Sequence, residues 1–219
     1  MQYSVRLIGK HQLSRDTVEL RFQRPAGCEV TAGQKIRFFY NRITRDYTLV
    51  SGPDQEELAI CVRRVNHGRF SPYLTEAAVG TVFQISAPFG YFTYQPTSRP
   101  SVLIATGTGI APFVAFVRSG VSGFHLLQGA RFREDLYYRS ELEAAAGSYV
   151  ACLSGETDQS PAEPGDGFFP GHVTTYLEDH LAAGNYDFYL CGRGDMLEKA
   201  THIIDRRFPE PIVFTEQFY

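Results

Sequence analysis

The run Ser101-Val102-Leu103-Ile104-Ala105-Thr106-Gly107-Thr108-Gly109-Ile110-Ala111-Pro112-Phe113 constrains this chain more than any other. Its apolar, β-branched opening reads as a buried strand, the paired glycines turn it, and a helical pattern follows. A helix entered in this way leaves its first N–H groups without intrahelical partners, aimed at whatever lies above the turn. Gly107 and Gly109 let the backbone approach a pyrophosphate with no Cβ in the way. Pro112 suits a first-turn position, where no N–H is needed. The same residues also serve as a plain tight βα turn, so a phosphate seat needs support from elsewhere in the chain.

The rhythm of the sequence changes at residues 95–100, where two prolines and small polar residues forbid a continuing strand. Before this linker, residues 3–8, 17–23, 34–39, 46–51, 58–65 and 82–87 are short β-branched and aromatic runs. Turn formers such as Pro25-Ala26-Gly27, Gly52-Pro53-Asp54 and Asn66-His67-Gly68 separate them. That spacing predicts a small antiparallel barrel or sandwich, with one helix at 71–78. After the linker, strand-like segments at 102–105, 125–128, 150–153 and 186–191 alternate with helical patterns at 112–118, 136–146, 173–181 and 195–208. Such alternation implies a parallel sheet with right-handed crossovers and helices on both faces. The predicted class is all-β followed by α/β, with domains at 1–97 and 98–219, and a polar Pro/Gly loop at 159–167.

Charge divides the same way. Residues 1–99 hold 13 Lys/Arg against 8 Asp/Glu, and residues 100–219 hold 8 against 16, within a net charge of −3. A negatively charged partner is therefore steered to the N-terminal half. The cations are spread among strands without clustered aromatic residues, which argues against a nucleic-acid surface. Cys28, Cys61, Cys152 and Cys191 show no metal-ligand spacing, so neither an iron–sulfur nor a zinc site is expected. Cys61 and Cys152 read as small buried hydrophobes. The first residues lack a basic stretch followed by an apolar one, and no run approaches the roughly eighteen apolar residues of a membrane span. A cytoplasmic protein is expected.

Four motifs together make the chain resemble the ferredoxin–NADP reductase family over essentially its whole length. Arg45-Asp46-Tyr47-Thr48 resembles the family's Arg-x-Tyr-Ser/Thr signature, and Gly68-Arg69-Phe70-Ser71 its Gly-x-x-Ser turn before a short helix. Residues 107–112 resemble its nucleotide diphosphate loop, and Cys191-Gly192-Arg193-Gly194-Asp195-Met196 its Cys-Gly…Met segment. The resemblance implies a six-stranded Greek-key barrel holding FAD and a Rossmann-like domain holding NADH or NADPH. It implies that Arg45 pairs with the flavin diphosphate, Tyr47 packs on one flavin face and Thr48 bonds near flavin N5. Backbone groups of Val62 and Arg63 hold the flavin, and Gly68 and Ser71 aim a helix start at its phosphate. Ser71 also stands where an N-cap belongs. Alternation along a strand puts Arg45 and Tyr47 on one side, as a shared ligand requires. Without the resemblance, Arg45 is an ordinary exposed strand residue.

By the same resemblance, Thr106, Gly107, Thr108, Gly109, Ile110 and Pro112 cradle the nucleotide, with Gly192 and Met196. Cys191 lies beside the nicotinamide, its small side chain admitting two flat rings. The ending Thr215-Glu216-Gln217-Phe218-Tyr219 resembles the Glu-x-aromatic-aromatic ending of bacterial members, in which one ring covers the flavin and the other the adenine. Phe218 and Tyr219 take those places, although a frayed terminal strand also fits. Thr48, Cys191 and Glu216 then surround the reacting atoms.

Coenzyme choice rests on the adenosine end. Arg131 and Arg133 offer cations, but Ser154-Gly155 stands where NADPH users carry Ser-Arg, and Gly171-His172-Val173 where they carry an arginine. Two phosphate partners are missing and Glu156 adds a carboxylate, which favours NADH. Gly155→Arg with His172→Arg is expected to shift preference to NADPH. The implied activity is hydride transfer from NAD(P)H to FAD, then single electrons to a protein acceptor such as ferredoxin or flavodoxin docked on the basic half. The alternatives are a reductase component of an oxygenase complex, a free-flavin reductase, or a non-catalytic flavin-binding regulatory module.

Overall fold

The computed structural model describes residues 1–155 and 168–218. The chain divides into two compact units, one formed by Met1–Tyr94 with Ala111–Gly120, the other by Gln95–Ile110 with Val121–Tyr219.

The first unit contains β1 (Gln2–Gln12), β2 (Thr17–Gln23), β3 (Lys35–Tyr40), β4 (Ile43–Thr48), β5 (Glu57–Arg63), α1 (Ser71–Glu76), β6 (Val82–Ser86) and α2 (Ala111–Arg118). Its six strands form one antiparallel sheet in the order β4-β3-β6-β1-β2-β5. The two ends meet where Leu49 bridges Ile60 and the Val50 N–H donates to Ala59 O at 2.8 Å, which closes the sheet into a barrel. Period-two alternation sends Val5, Leu7, Leu20, Phe22, Ile36, Phe38, Phe83 and Ile85 into one core. The sequence predicts β4 at 46–51, but it ends at Thr48. Asn41 and Arg42 take φ of 44° and 64°, so a tight two-residue hairpin starts the strand at Ile43.

Helix α2 packs with the barrel. Arg118 Nη1 donates to Val50 O at 3.2 Å and pairs with Glu19 at 3.4 Å. A Cβ on Gly52 would lie 2.6 Å from Arg118 O, so only glycine allows this approach. Phe113 and Phe116 meet Phe92 at 6.1 Å between ring centres.

The second unit contains β7 (Ser101–Thr106), β8 (His125–Ala130), α3 (Arg139–Ala145), β9 (Ser148–Leu153), β10 (Phe168–Pro170), α4 (Val173–Asp179), β11 (Asp187–Gly192), α5 (Gly194–Arg207) and β12 (Ile212–Gln217). Its parallel sheet runs β10-β9-β8-β7-β11-β12. The interior strand β11 is buried throughout and β7 up to its last residue, as sheets covered on both faces require. Neither β10 nor β12 is among the strands predicted from the sequence. The first has three residues, and the second follows Pro209-Glu210-Pro211 at the chain's end, so neither shows the usual length and flanks. The predicted helix 136–146 starts late, at Arg139, because Tyr138 takes φ 58° after a 3₁₀ turn at Arg133–Asp135.

The linker is strapped to β11. Tyr189 Oη accepts from the Gln95 N–H at 2.9 Å, Thr97 donates to buried Asp187 at 2.5 Å, and the Asp187 N–H reaches Pro100 O at 3.1 Å.

Candidate functional site

In the first unit, strand register settles which way the β4 residues face. Arg45 is opposite Phe38 and Tyr47 opposite Ile36, so both lie on the face of core residues, at the end strand of the sheet. Tyr47 meets Phe38 edge-on at 5.7 Å and Phe70 at 6.2 Å. Burial pushes its hydroxyl up to about 12, against the opposing pull of Arg45, so the phenol stays protonated at neutral pH. Arg45 is exposed and donates to Thr44 O at 2.7 Å. Asp46 points the other way into a two-pronged pair with Arg37, at 2.6 and 2.8 Å. It is thereby kept off the Arg45 face. Thr48 is buried.

Val62 and Arg63 pair with Val18 and Thr17 along one edge of β5; the Val62 side chain is wholly buried. Ser71 corrects one expectation. It is the first residue of α1 rather than its N-cap, which is Phe70 without a side-chain bond. The Ser71 hydroxyl instead accepts the Val65 N–H at 3.0 Å, fastening the turn before the helix. A Cβ on Gly68 would fall 2.9 Å from Val65 O and 3.0 Å from Ser71 Oγ, so this turn demands glycine.

In the second unit, the ends of β7, β11 and β12 bring the other predicted residues together, at the carboxyl ends of the strands where open α/β sheets bind ligands. Cys191 is wholly buried, opposite Ala105 on one side and Glu216 on the other. The Phe218 N–H donates to Gly192 O at 2.8 Å. A Cβ on Gly109 would lie 2.4 Å from Cys191 O, and one on Gly192 would lie 2.2 Å from Thr106 Oγ1. Bare backbone is required at both. Gly107 takes φ 56° in the 3₁₀ turn Gly107–Ile110, which carries Thr108; Ile110 and Pro112 are buried, and Met196 nearly so. Thr106 Oγ1 is buried with no protein partner, a polar atom turned toward this cradle of glycines. That orphaned hydroxyl and the two bare glycines fit a polar nucleotide.

At the other edge of this sheet, Arg131 and Arg133 follow β8 and are exposed. The structure corrects the expectation for position 155. Its Cβ would sit 2.6 Å from Arg131 O and 2.8 Å from Arg131 Cγ, and its N–H bonds Arg131 O at 2.9 Å. An arginine there displaces the neighbouring strand end, so Gly155→Arg does not isolate a charge effect. His172 is the exposed residue before α4. Glu156, the loop 159–167 and Tyr219 lie outside the described residues. Gln128, Arg139 and Phe168, which frame this edge, are not among the residues predicted from the sequence. A polar residue amid the apolar run of β8 is a signal for the first; nothing local marks the other two.

All four cysteines are buried and none is in a disulfide. Among the described residues no cluster of three His, Cys, Asp or Glu side chains stands ready for a metal, and no helix is long and apolar enough to cross a membrane.

Residues 4–94 match the oxidoreductase FAD-binding domain family and residues 103–202 the oxidoreductase NAD-binding domain family. The chain is 32% identical over 183 residues to a toluate 1,2-dioxygenase electron transfer component of Pseudomonas putida, covering 78% of this chain and 52% of that protein. It is 36% identical over 157 residues to a ferredoxin–NADP reductase B of Sorangium cellulosum, covering 66% of this chain and 64% of the other. The chain thus spans about half to two thirds of these relatives' length. Its fold matches a ferredoxin NADP+ reductase structure from Neisseria gonorrhoeae with bound FAD and NADP, at TM-score 0.84 and 18% identity, over 100% of this chain and 99% of that one.

Proposed function

Since the chain belongs to the ferredoxin reductase family of FAD- and NAD-binding oxidoreductases, we propose that it passes a hydride from NAD(P)H to FAD and hands the electrons on singly to a protein acceptor. FAD, when bound, supplies the chemistry that accepts an electron pair and releases it one electron at a time. The chain's own residues bind and orient. Arg45 offers a fork of donors to diphosphate oxygens, and Tyr47 a flat apolar face that keeps water from one side of the ring. Thr48 holds a hydroxyl near the reacting edge, while the backbone of Val62, Arg63 and Gly68 and the turn fastened by Ser71 complete the flavin seat. In the second unit Thr106 Oγ1 donates to the nucleotide, and Cys191, Glu216 and Phe218 line the nicotinamide end.

The observation that carries this reading is the cradle at Gly109 and Gly192, where a methyl group would strike Cys191 O or Thr106 Oγ1 and where the Thr106 hydroxyl lacks a protein partner. These contacts pack the turn onto the end of β11, while Gly107, whose Cβ would meet nothing within 4 Å, leaves the turn open beside a buried polar atom, as a phosphate-bearing ligand needs. The test is direct. The purified protein is expected to be yellow, anaerobic NADH or NADPH to bleach it, and Arg45→Ala to lower FAD affinity about ten-fold or more. A yellow protein that neither nucleotide bleaches overturns hydride transfer.

The acceptor docks on the basic first half and is itself acidic. The kinship with an oxygenase electron transfer component supports a second reading, in which that acceptor belongs to an oxygenase system. Four buried, unbridged cysteines accord with work in a reducing cytoplasm.

A further inference from the structure

Helix α2 begins where the glycine turn ends, because Ala111 follows Ile110 directly. Its own packing is with the barrel. A Cβ on Gly33, two residues before β3, would lie 2.8 Å from Phe116 Cε1, and one on Gly52 would lie 2.6 Å from Arg118 O. Glycine at both places lets the barrel backbone close on the flank of the helix and on its last residue. Arg118 adds a polar clasp. Its Nη1 donates to Val50 O at 3.2 Å and reaches Glu19 Oε2 at 3.4 Å, and both side chains are largely shielded from water.

The clasped segment is the one that leaves Thr48. The Leu49 N–H donates to Gln34 O at 2.9 Å and the Val50 N–H to Ala59 O at 2.8 Å, while the Ser51 hydroxyl accepts the Ala59 N–H at 3.2 Å. The Val50 carbonyl, two residues past Thr48, takes Arg118. One end of α2 is thus continuous with the turn offered to a nucleotide, and the other holds the chain behind Tyr47 and Thr48, the residues proposed to meet the flavin. An anion at the first turn of a helix interacts with its unpaired N–H groups and its dipole, and so favours the helix held in place. A flavin that needs Thr48 fixed favours the same arrangement of residues 49–52. Two ligands that order one shared element bind with positive coupling, because the second meets an element already ordered.

We propose that Arg118 is a positioning residue that couples the two sites, so that a nucleotide at the glycine turn tightens, through α2, the hold of the barrel on FAD. This rests on the reading that β4 meets the flavin and the glycine turn meets the nucleotide. It gives a shared reason for the bare backbone at Gly33 and Gly52 and for the shielded ion pair at Glu19, none of which belongs to either seat.

The probe that tests it is ADP-ribose, which carries the adenosine and diphosphate but has no nicotinamide ring to lie on the flavin. The FAD dissociation constant, read from the fluorescence of released FAD, is measured with and without saturating ADP-ribose. In wild type it is expected to fall about five-fold when ADP-ribose is present, the low end of ordinary coupling between sites. In Arg118→Met the ratio is expected to drop to about one, and in Arg118→Lys, which keeps a donor for Val50 O, to return. A merely structural role would weaken FAD binding equally with and without ADP-ribose and leave the ratio unchanged. Where Arg118→Met fails to fold, Arg118→Met with Glu19→Gln removes the stranded charge yet still lacks the donor, and its ratio is expected to be about one. Hydrogen exchange at the Val50 amide is expected to slow when ADP-ribose is added to the FAD-loaded wild type and not to the variant. A wild-type ratio of about one, or a five-fold ratio kept by Arg118→Met, overturns the proposal and leaves the broader reading intact. Failure of the wild type to bind FAD or ADP-ribose overturns both.

Discussion

Tyr47 packs edge-on to Phe38, and burial pushes its phenol up to about 12 from an ordinary value of 10.0. Because the folded state holds this proton more tightly than the unfolded chain does, the benefit is complete below pH 10. It drains away as pH rises toward 12. On the order of 2 kcal/mol is at stake by linkage. Urea titrations between pH 9 and 12 are expected to show Tyr47→Phe losing less stability over that window than wild type. Equal losses would assign the alkaline instability to other groups, such as Tyr149 and Cys152, which burial also raises. Alternation alone places Arg45 and Tyr47 on one face, which is why their pairing is legible in the sequence. The partner of the Ser71 hydroxyl is not, because Val65 lies six residues back across a turn whose shape depends on folding. Gly155 is harder still: its reason for being glycine is the backbone of another strand end.

At the scale of elements, α2 shows how a helix read correctly from its pattern takes an unexpected neighbour. The glycine turn predicts the helix, yet its contacts group it with the barrel, through Gly52, Glu19 and Val50. Glu19 and Arg118 are largely shielded, with side chains 11% and 18% exposed. Removing one partner leaves a charge poorly solvated. Arg118→Met is expected to destabilise the protein by about 3 kcal/mol, and Arg118→Met with Glu19→Gln to recover much of it. Denaturation midpoints of the two variants decide the matter; an equal deficit in both would show that packing of the arginine stem, not its charge, holds the helix. Strands β10 and β12 escape the sequence because their pairing partners, β9 and β11, supply most of what makes them strands.

Across the whole molecule the two halves carry opposite charge, 13 Lys/Arg against 8 Asp/Glu in residues 1–99 and the reverse imbalance beyond. A docked acidic acceptor should therefore lose rate as salt rises past about 0.1 M, where the Debye length falls to roughly 10 Å, while reduction of a small uncharged acceptor stays flat. Stopped-flow rates against ionic strength check this, and a protein-acceptor rate indifferent to salt would remove the basic half as the docking face. The sequence by itself determined the two-part architecture, the antiparallel and parallel classes of its sheets, and the glycine turn. Each of these follows from local periodicity and backbone freedom. Only the tertiary structure decided that Gly109 and Gly192 must be bare, that Thr106 Oγ1 is left without a protein partner, and that Gly52 meets the end of α2. Those outcomes depend on which distant backbone atoms arrive within van der Waals reach, and no spacing along a single chain encodes that distance.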